Sequence, residues 1–120
     1  MLDHVALQVA NYTKSKSFYL QALKPLGYEL VMEFGSNGGF GKDGKPDFWI
    51  AERSATKPPL HVAFSSPDRA TVDAFHRAAI SAGGRDNGAP GLRPHYHPSY
   101  YAAFVFDPDG NNIEAVCHRA

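Results

Sequence analysis

His4-Val5-Ala6-Leu7, near the start of the chain, returns as His61-Val62-Ala63-Phe64 in its middle, an offset of 57 residues. The same offset aligns Gln8 with Ser65, Phe18 with Phe75, Ala22 with Ala79, Leu23 with Ile80 and Gly27 with Gly84. One strand-helix unit is therefore written twice, with a histidine at the same strand position each time. Such a duplication can bring two imidazoles together across a pseudo-twofold axis, and two imidazoles with a nearby carboxylate make a metal site.

The segments around the repeat follow from periodicity. Residues 2–10 alternate, with Val5, Leu7 and Val9 opposite His4, Ala6 and Gln8, which predicts a half-buried strand. Phe18, Tyr19, Ala22, Leu23 and Leu26 recur at helical steps after a cap at Asn11 or Thr13, and Pro25 with Gly27 closes that helix. Residues 28–34 alternate again, 35–39 read as a turn, and Asp43-Gly44 suits a tight hairpin into a strand over 47–52. After the linker 55–59 comes a strand over 60–65. Ser66-Pro67-Asp68 then starts a helix, with Ser66 as the capping hydroxyl, Pro67 first in the helix and Asp68 in its first turn, running to Gly83-Gly84. Residues 85–99 read as a long Gly/Pro-rich loop holding Arg93, His95, Tyr96 and His97. Strands over 101–106 and 112–118 follow, joined by the turn Asp107-Pro108-Asp109-Gly110.

With 120 residues the chain has room for one domain, so both copies share a core: module one over about 1–54, module two over about 60–120. A chain this short leaves much of its surface unburied, and pairing with a second copy would add stability. Twelve basic residues balance twelve acidic ones without a Lys/Arg run, which argues against a nucleic-acid partner. No secretory-type leader and no apolar stretch of spanning length is visible, and the one cysteine, Cys117, suits a reducing compartment; the expectation is a cytoplasmic protein with no membrane partner.

Strand alternation assigns each candidate side chain to a face. His4 shares a face with Gln8, His61 with Ser65, and Glu114 with Asn112, Val116 and His118. If the apolar faces all pack on the helices, His4, His61 and Glu114 project from the other side of a single curved sheet. Two His and a carboxylate with open positions suit Fe, and the same set accepts Mn, Ni or Zn. Taken singly, each residue also reads as an ordinary strand residue; the repeat is what joins them. His118 lies about 13 Å along the strand from Glu114, too far to ligate the same ion. Arg93, His95 and His97 could orient an anionic or phenolic substrate or simply pack in a braced loop. Trp49 and Tyr28 read as pocket wall or core, Glu33 as cavity acid or surface acid, and Cys117 as buried.

These motifs, together with the ending Phe104-Val105-Phe106-Asp107-Pro108-Asp109-Gly110-Asn111-Asn112-Ile113-Glu114-Ala115-Val116, resemble the vicinal oxygen chelate superfamily: glyoxalase I, extradiol dioxygenases, fosfomycin-resistance enzymes and bleomycin-binding proteins. The resemblance covers essentially the whole chain. It implies an α+β fold of two βαβββ modules, forming an open, cupped eight-stranded sheet with helices on the outside. It also implies a homodimer, and a divalent metal (Fe, Mn, Ni or Zn) on His4, His61 and Glu114 that chelates neighbouring oxygens of a small substrate in glyoxalase-like lyase/isomerase or dioxygenase chemistry. His97 and Tyr101 are then the acid-base candidates, and Trp49, Arg93, His95, Tyr96 and Tyr100 the substrate-binding ones. Trp49 stands where glyoxalase I has its fourth ligand. Ala103-Phe104 replaces the aliphatic-Tyr pair of the dioxygenases. The alternative is a metal-free binding protein that sequesters a flat molecule between Trp49, Tyr96, Tyr100 and Tyr101.

Overall fold

The duplication seen in the sequence is a duplication of topology. The computed structural model describes residues 1–120. Strands β1 (Val5–Val9), β2 (Glu29–Phe34), β3 (Asn37–Lys42) and β4 (Lys45–Glu52) form one sheet in the order β1-β4-β3-β2, with helix α1 (Tyr12–Ala22) between β1 and β2. Strands β5 (His61–Ser65), β6 (Arg85–Leu92), β7 (Tyr101–Phe106) and β8 (Asn112–Cys117) form the other in the order β5-β8-β7-β6, with helix α2 (Arg69–Ser81) after β5. In each module the first strand runs parallel to the last, and the remaining pairs are antiparallel. The two βαβββ modules and the α+β class are those the resemblance implies. The ladders divide the eight strands into two four-stranded sheets.

The inward faces of both sheets and both helices meet in a single cluster of 20 buried residues. α1 ties the modules together: the Tyr19 ring packs against Phe48 at 5.0 Å, and its hydroxyl donates to Asp107 in the β7–β8 turn at 2.5 Å. The helices touch one another as well as their own sheets, so they line the junction between modules. Gly84 makes this approach possible, because a Cβ there would lie 2.5 Å from Val105 Cγ1 and 2.8 Å from Phe18 Cε1. Phe64 of β5 reaches across to Phe48 at 5.2 Å and Tyr28 at 5.4 Å.

Two local expectations are corrected. The helix over 69–81 is capped by the Asp68 carboxylate, which accepts from Thr71 N at 2.7 Å; Ser66 instead donates to the Asp68 carbonyl. Extended backbone at Asp68 aims its carboxylate at the free N–H groups of the first turn. The passage over 85–92 is a strand, not part of a loop. It is the edge strand of its sheet, where Pro90 has no ladder bond to lose and glycines tolerate the two register breaks against β7. The first helix is capped by Asn11, which accepts from Lys14 N.

Candidate functional site

The open face of the second sheet is built from residues in register. One row across it reads Gly88, Phe104, Glu114, Ala63, and the row beside it Phe106, Asn112, His61. Glu114 is 1% exposed, although it stands on the face turned away from the hydrophobic core. A buried carboxylate needs partners. Its Oε1 lies 2.7 Å from His61 Nε2, and its Oε2 accepts the Tyr100 hydroxyl. The Tyr100 ring sits edge-on to His118 at 5.1 Å, His118 is 5.9 Å from His97, and Tyr96 packs on Tyr100 at 5.1 Å, with His95 at 4.1 Å from Tyr96. The turn from Arg93 to Tyr100 holds these rings in place, with Arg93 N donating to the Tyr100 carbonyl at 2.7 Å and Tyr100 N to the His97 carbonyl at 3.0 Å.

The first sheet carries an equivalent open face. Ala6 pairs with Trp49 as Ala63 pairs with Glu114, so Trp49 occupies in module one the position Glu114 has in module two. Phe34 stacks on Trp49 at 6.4 Å with planes 8° apart, above a depression of about 410 Å³ bordered by His4, Ala6, Asn37 and Ala51. His4 is hydrogen-bonded to Asp3 at 2.8 Å. A second depression of about 490 Å³ also borders His4, and neither contains His61 or Glu114.

The structure thus brings His61, Glu114, Tyr100, Tyr96, His95 and His97 into one neighbourhood and leaves His4 and Trp49 on the other sheet. No three His, Cys, Asp or Glu side chains of one chain converge as a metal-holding group. Tyr101 is one residue out of phase with the site. Its hydroxyl donates to Asp73 on α2 at 2.6 Å, and its ring lies under Arg69 at 5.1 Å. Tyr100, at the mouth of β7, supplies the hydroxyl that touches Glu114. Sequence reading missed Phe104, whose ring lies 6.1 Å from His61, although its place two residues inside β7 on Glu114's face is legible by alternation. Cys117 is buried, as expected. Glu33 lies outside the site and accepts from Tyr12 Oη at 2.5 Å and pairs with Lys16 at 2.7 Å.

Tyr100 is one of five tyrosines whose hydroxyls rest on carboxylates; the others are Tyr12 on Glu33, Tyr19 on Asp107, Tyr28 on Asp47 and Tyr101 on Asp73. Burial and the Glu114 carboxylate push Tyr100 from the ordinary 10.0 up to about 12. Burial and the adjoining acid also raise Tyr12, Tyr19 and Tyr28, and for Tyr101 the Asp73 hydrogen bond is the larger cause. Tyr100 therefore keeps its proton at neutral pH and remains a donor. Because the folded values are raised, the stabilisation these phenols give is complete below the unfolded value and lost as pH rises through the folded ones. Stability is expected to fall steeply above pH about 10, with phenolate absorbance at 295 nm rising together with the loss of circular dichroism. Titration of these five phenols near their ordinary value while the fold stays intact would contradict this.

The comparisons with known proteins agree with the architecture. The family model of the Glyoxalase/Bleomycin resistance protein/Dioxygenase superfamily matches residues 1–115. A glyoxalase/bleomycin resistance protein from Albidiferax ferrireducens T118 is similar at 30% identity over 98% of both chains, with a TM-score of 0.83. A family enzyme from Burkholderia phytofirmans PsJN shares the fold at a TM-score of 0.76, with 20% identity over 98% of both chains. Lactoylglutathione lyase from Agrobacterium tumefaciens does so at 0.71, with 17% identity over 98% of this chain and 92% of that one. No curated protein sequence matches. No helix is long and apolar enough to cross a membrane. With its twice-written βαβββ unit, its two open faces and a family match spanning nearly its whole length, the chain belongs to the glyoxalase/bleomycin resistance protein/dioxygenase superfamily.

Proposed function

We propose that this protein binds a divalent cation between two copies of itself and acts there on a small oxygenated molecule, with His61 and Glu114 from one copy and His4 from the other as donors. The observation that carries this reading is the pair on β5 and β8, a buried carboxylate against an exposed imidazole. Neighbouring ligands of one cation, each about 2.0–2.2 Å from it, lie roughly 3 Å apart, and His61 Nε2 and Glu114 Oε1 are separated by 2.7 Å. A pair fills two positions only. The third donor has to come from elsewhere, and the other histidine of the repeat stands exposed on the open face of the first sheet.

Symmetry makes the second copy the economical source. In a twofold pair, laying the first sheet of one chain over the second sheet of its mate lays the reciprocal faces together too, so two equal sites form. The faces concerned carry apolar side chains exposed in one chain, Phe34 at 60%, Met32 at 42% and Tyr96 at 62%, which pairing would cover.

A bound cation would supply Lewis acidity to oxygens of the substrate. The protein's own groups have separate tasks. Tyr100 orients Glu114 through Oε2 and carries a proton at neutral pH beside the reacting atoms. His118 packs edge-on against the Tyr100 ring and His97 against His118, which fixes the ring that carries this hydroxyl. Tyr100 takes the acid-base role expected of Tyr101, whose hydroxyl is engaged on α2. Calorimetric titration of chelator-treated protein with Zn²⁺, Ni²⁺, Mn²⁺ and Fe²⁺ tests the reading. One of these is expected to bind at one equivalent per chain, with the dimer as the binding species, and no uptake of any of the four up to about 1 mM would overturn it.

A second reading is favoured by the Phe34–Trp49 stack, which presents a flat aromatic surface where a fourth donor would stand. On that reading the same interchain groove holds a planar molecule without a cation. Quenching of the single tryptophan by a planar ligand, unchanged by chelator, would select it.

A further inference from the structure

Arg93 is a cation with a prepared seat and no acid partner. Its guanidinium lies over Phe104, 5.4 Å from the ring centroid. Nη2 donates to the Ala89 carbonyl at 2.8 Å, and Nη1 reaches the Leu92 carbonyl only at 3.5 Å. Two glycines of β6 leave room for it: a Cβ on Gly88 would lie 3.2 Å from Nη2, and one on Gly91 would lie 3.0 Å from Nη1. None of the chain's ion pairs includes Arg93. A guanidinium offers five N–H donors in a rigid fork that matches a carboxylate, and here backbone carbonyls occupy only part of that fork. The other cation on this face, Arg85, lies over Phe106 at 5.0 Å but is exposed and makes no side-chain hydrogen bond.

Phe104 links this cation to the His61–Glu114 pair, since His61 and Arg93 both lie against its ring. Beside them Tyr100 and the exposed Tyr96 offer aromatic surface. We infer that Arg93 anchors the carboxylate of a small aryl acid, whose ring lies on Tyr96 and Tyr100 and whose second oxygen function points to His61 and Glu114. This names the substrate class for the site described above and rests on that reading for its location, although the anchoring itself requires no cation.

The test uses the full chain in chelator, with phenyllactate, its methyl ester and phenyl phosphate as probes, read by calorimetry and by amide shifts of residues 88–104. Phenyllactate is expected to bind at least about tenfold more tightly than its ester, because a charge-assisted bidentate contact is worth that much. Arg93→Met is expected to abolish the preference, whereas Arg85→Met, with the same change in net charge, leaves it within about twofold. Equal binding of acid and ester, tighter binding of phenyl phosphate, or an Arg93→Met variant of unaltered melting temperature that still prefers the acid would each overturn the assignment. The cation titration on Arg93→Met keeps the two proposals apart, since metal uptake retained there leaves the function standing whatever happens to the acid.

Discussion

Replacing Asp107 by Ala is expected to lower stability by about 3–4 kcal/mol, and with it the melting temperature by roughly 10–15 °C. Asp107 is 3% exposed in the β7–β8 turn. Its Oδ1 accepts from Asp109 N at 2.9 Å and Asn111 N at 2.8 Å, and its Oδ2 accepts from Asn111 Nδ2 at 3.0 Å and Tyr19 Oη at 2.5 Å. Alanine leaves the Tyr19 hydroxyl, in a side chain with no exposure, and the Asn111 donors without an acceptor and without water. Each buried donor orphaned in this way costs about 1–3 kcal/mol, and partial relaxation of the turn keeps the total below the sum. Tyr19→Phe removes one bond to a charged acceptor and is expected to cost about 2 kcal/mol. Because the two side chains meet, the double variant should cost less than both singles together, by about 1.5 kcal/mol. Denaturant unfolding of the four proteins measures all three quantities. Additive costs, or an Asp107→Ala variant within about 1 kcal/mol of the parent, would show that the turn does not clamp the modules.

That clamp marks where sequence reading reaches its limit. Alternation is a local property: it put His61 and Glu114 on the polar sides of their own strands, and the parallel pairing of β5 with β8, which repeats that of β1 with β4, makes them neighbours. It carried no information about how one module sits against the other. The histidine of the first copy stays with the first sheet because β1 pairs with β4, and the modules are joined by contacts such as Tyr19 to Asp107, which link residues 88 positions apart in the chain. Tyr100 and Tyr101 show the same limit at smaller scale. Adjacent tyrosines face opposite ways, and only the start of β7 decides which one meets Glu114. The strand over 85–92 was hidden for a different reason. Glycine and proline lower strand propensity, yet an edge strand with register breaks accommodates both, and Gly88 and Gly91 leave room there for the Arg93 guanidinium.

Mixing two inactive variants is expected to restore cation binding, which is the sharpest consequence of a site divided between copies. His4→Ala and Glu114→Gln should each lose uptake by at least about 100-fold, since even outer partners of a metal ligand cost 10- to 100-fold when removed. In a mixed pair one site joins the altered His4 position to the altered Glu114 position and is doubly broken. The other joins an intact His4 from the Glu114→Gln chain to an intact His61 and Glu114 from the His4→Ala chain. Co-expression with two tags, or refolding from an equal mixture, gives half mixed pairs, so roughly a quarter of the parent's sites should return. The magnitude separates the possibilities. Had all three donors belonged to one chain, every chain in the mixture would still lack a ligand and recovery would be nil. A cation held by His61 and Glu114 alone would leave His4→Ala as competent as the parent. Mixing His61→Ala with Glu114→Gln is the control: both changes fall in the same half-site, so no pairing restores a complete set, and the yield of sites should stay at zero whatever the ratio.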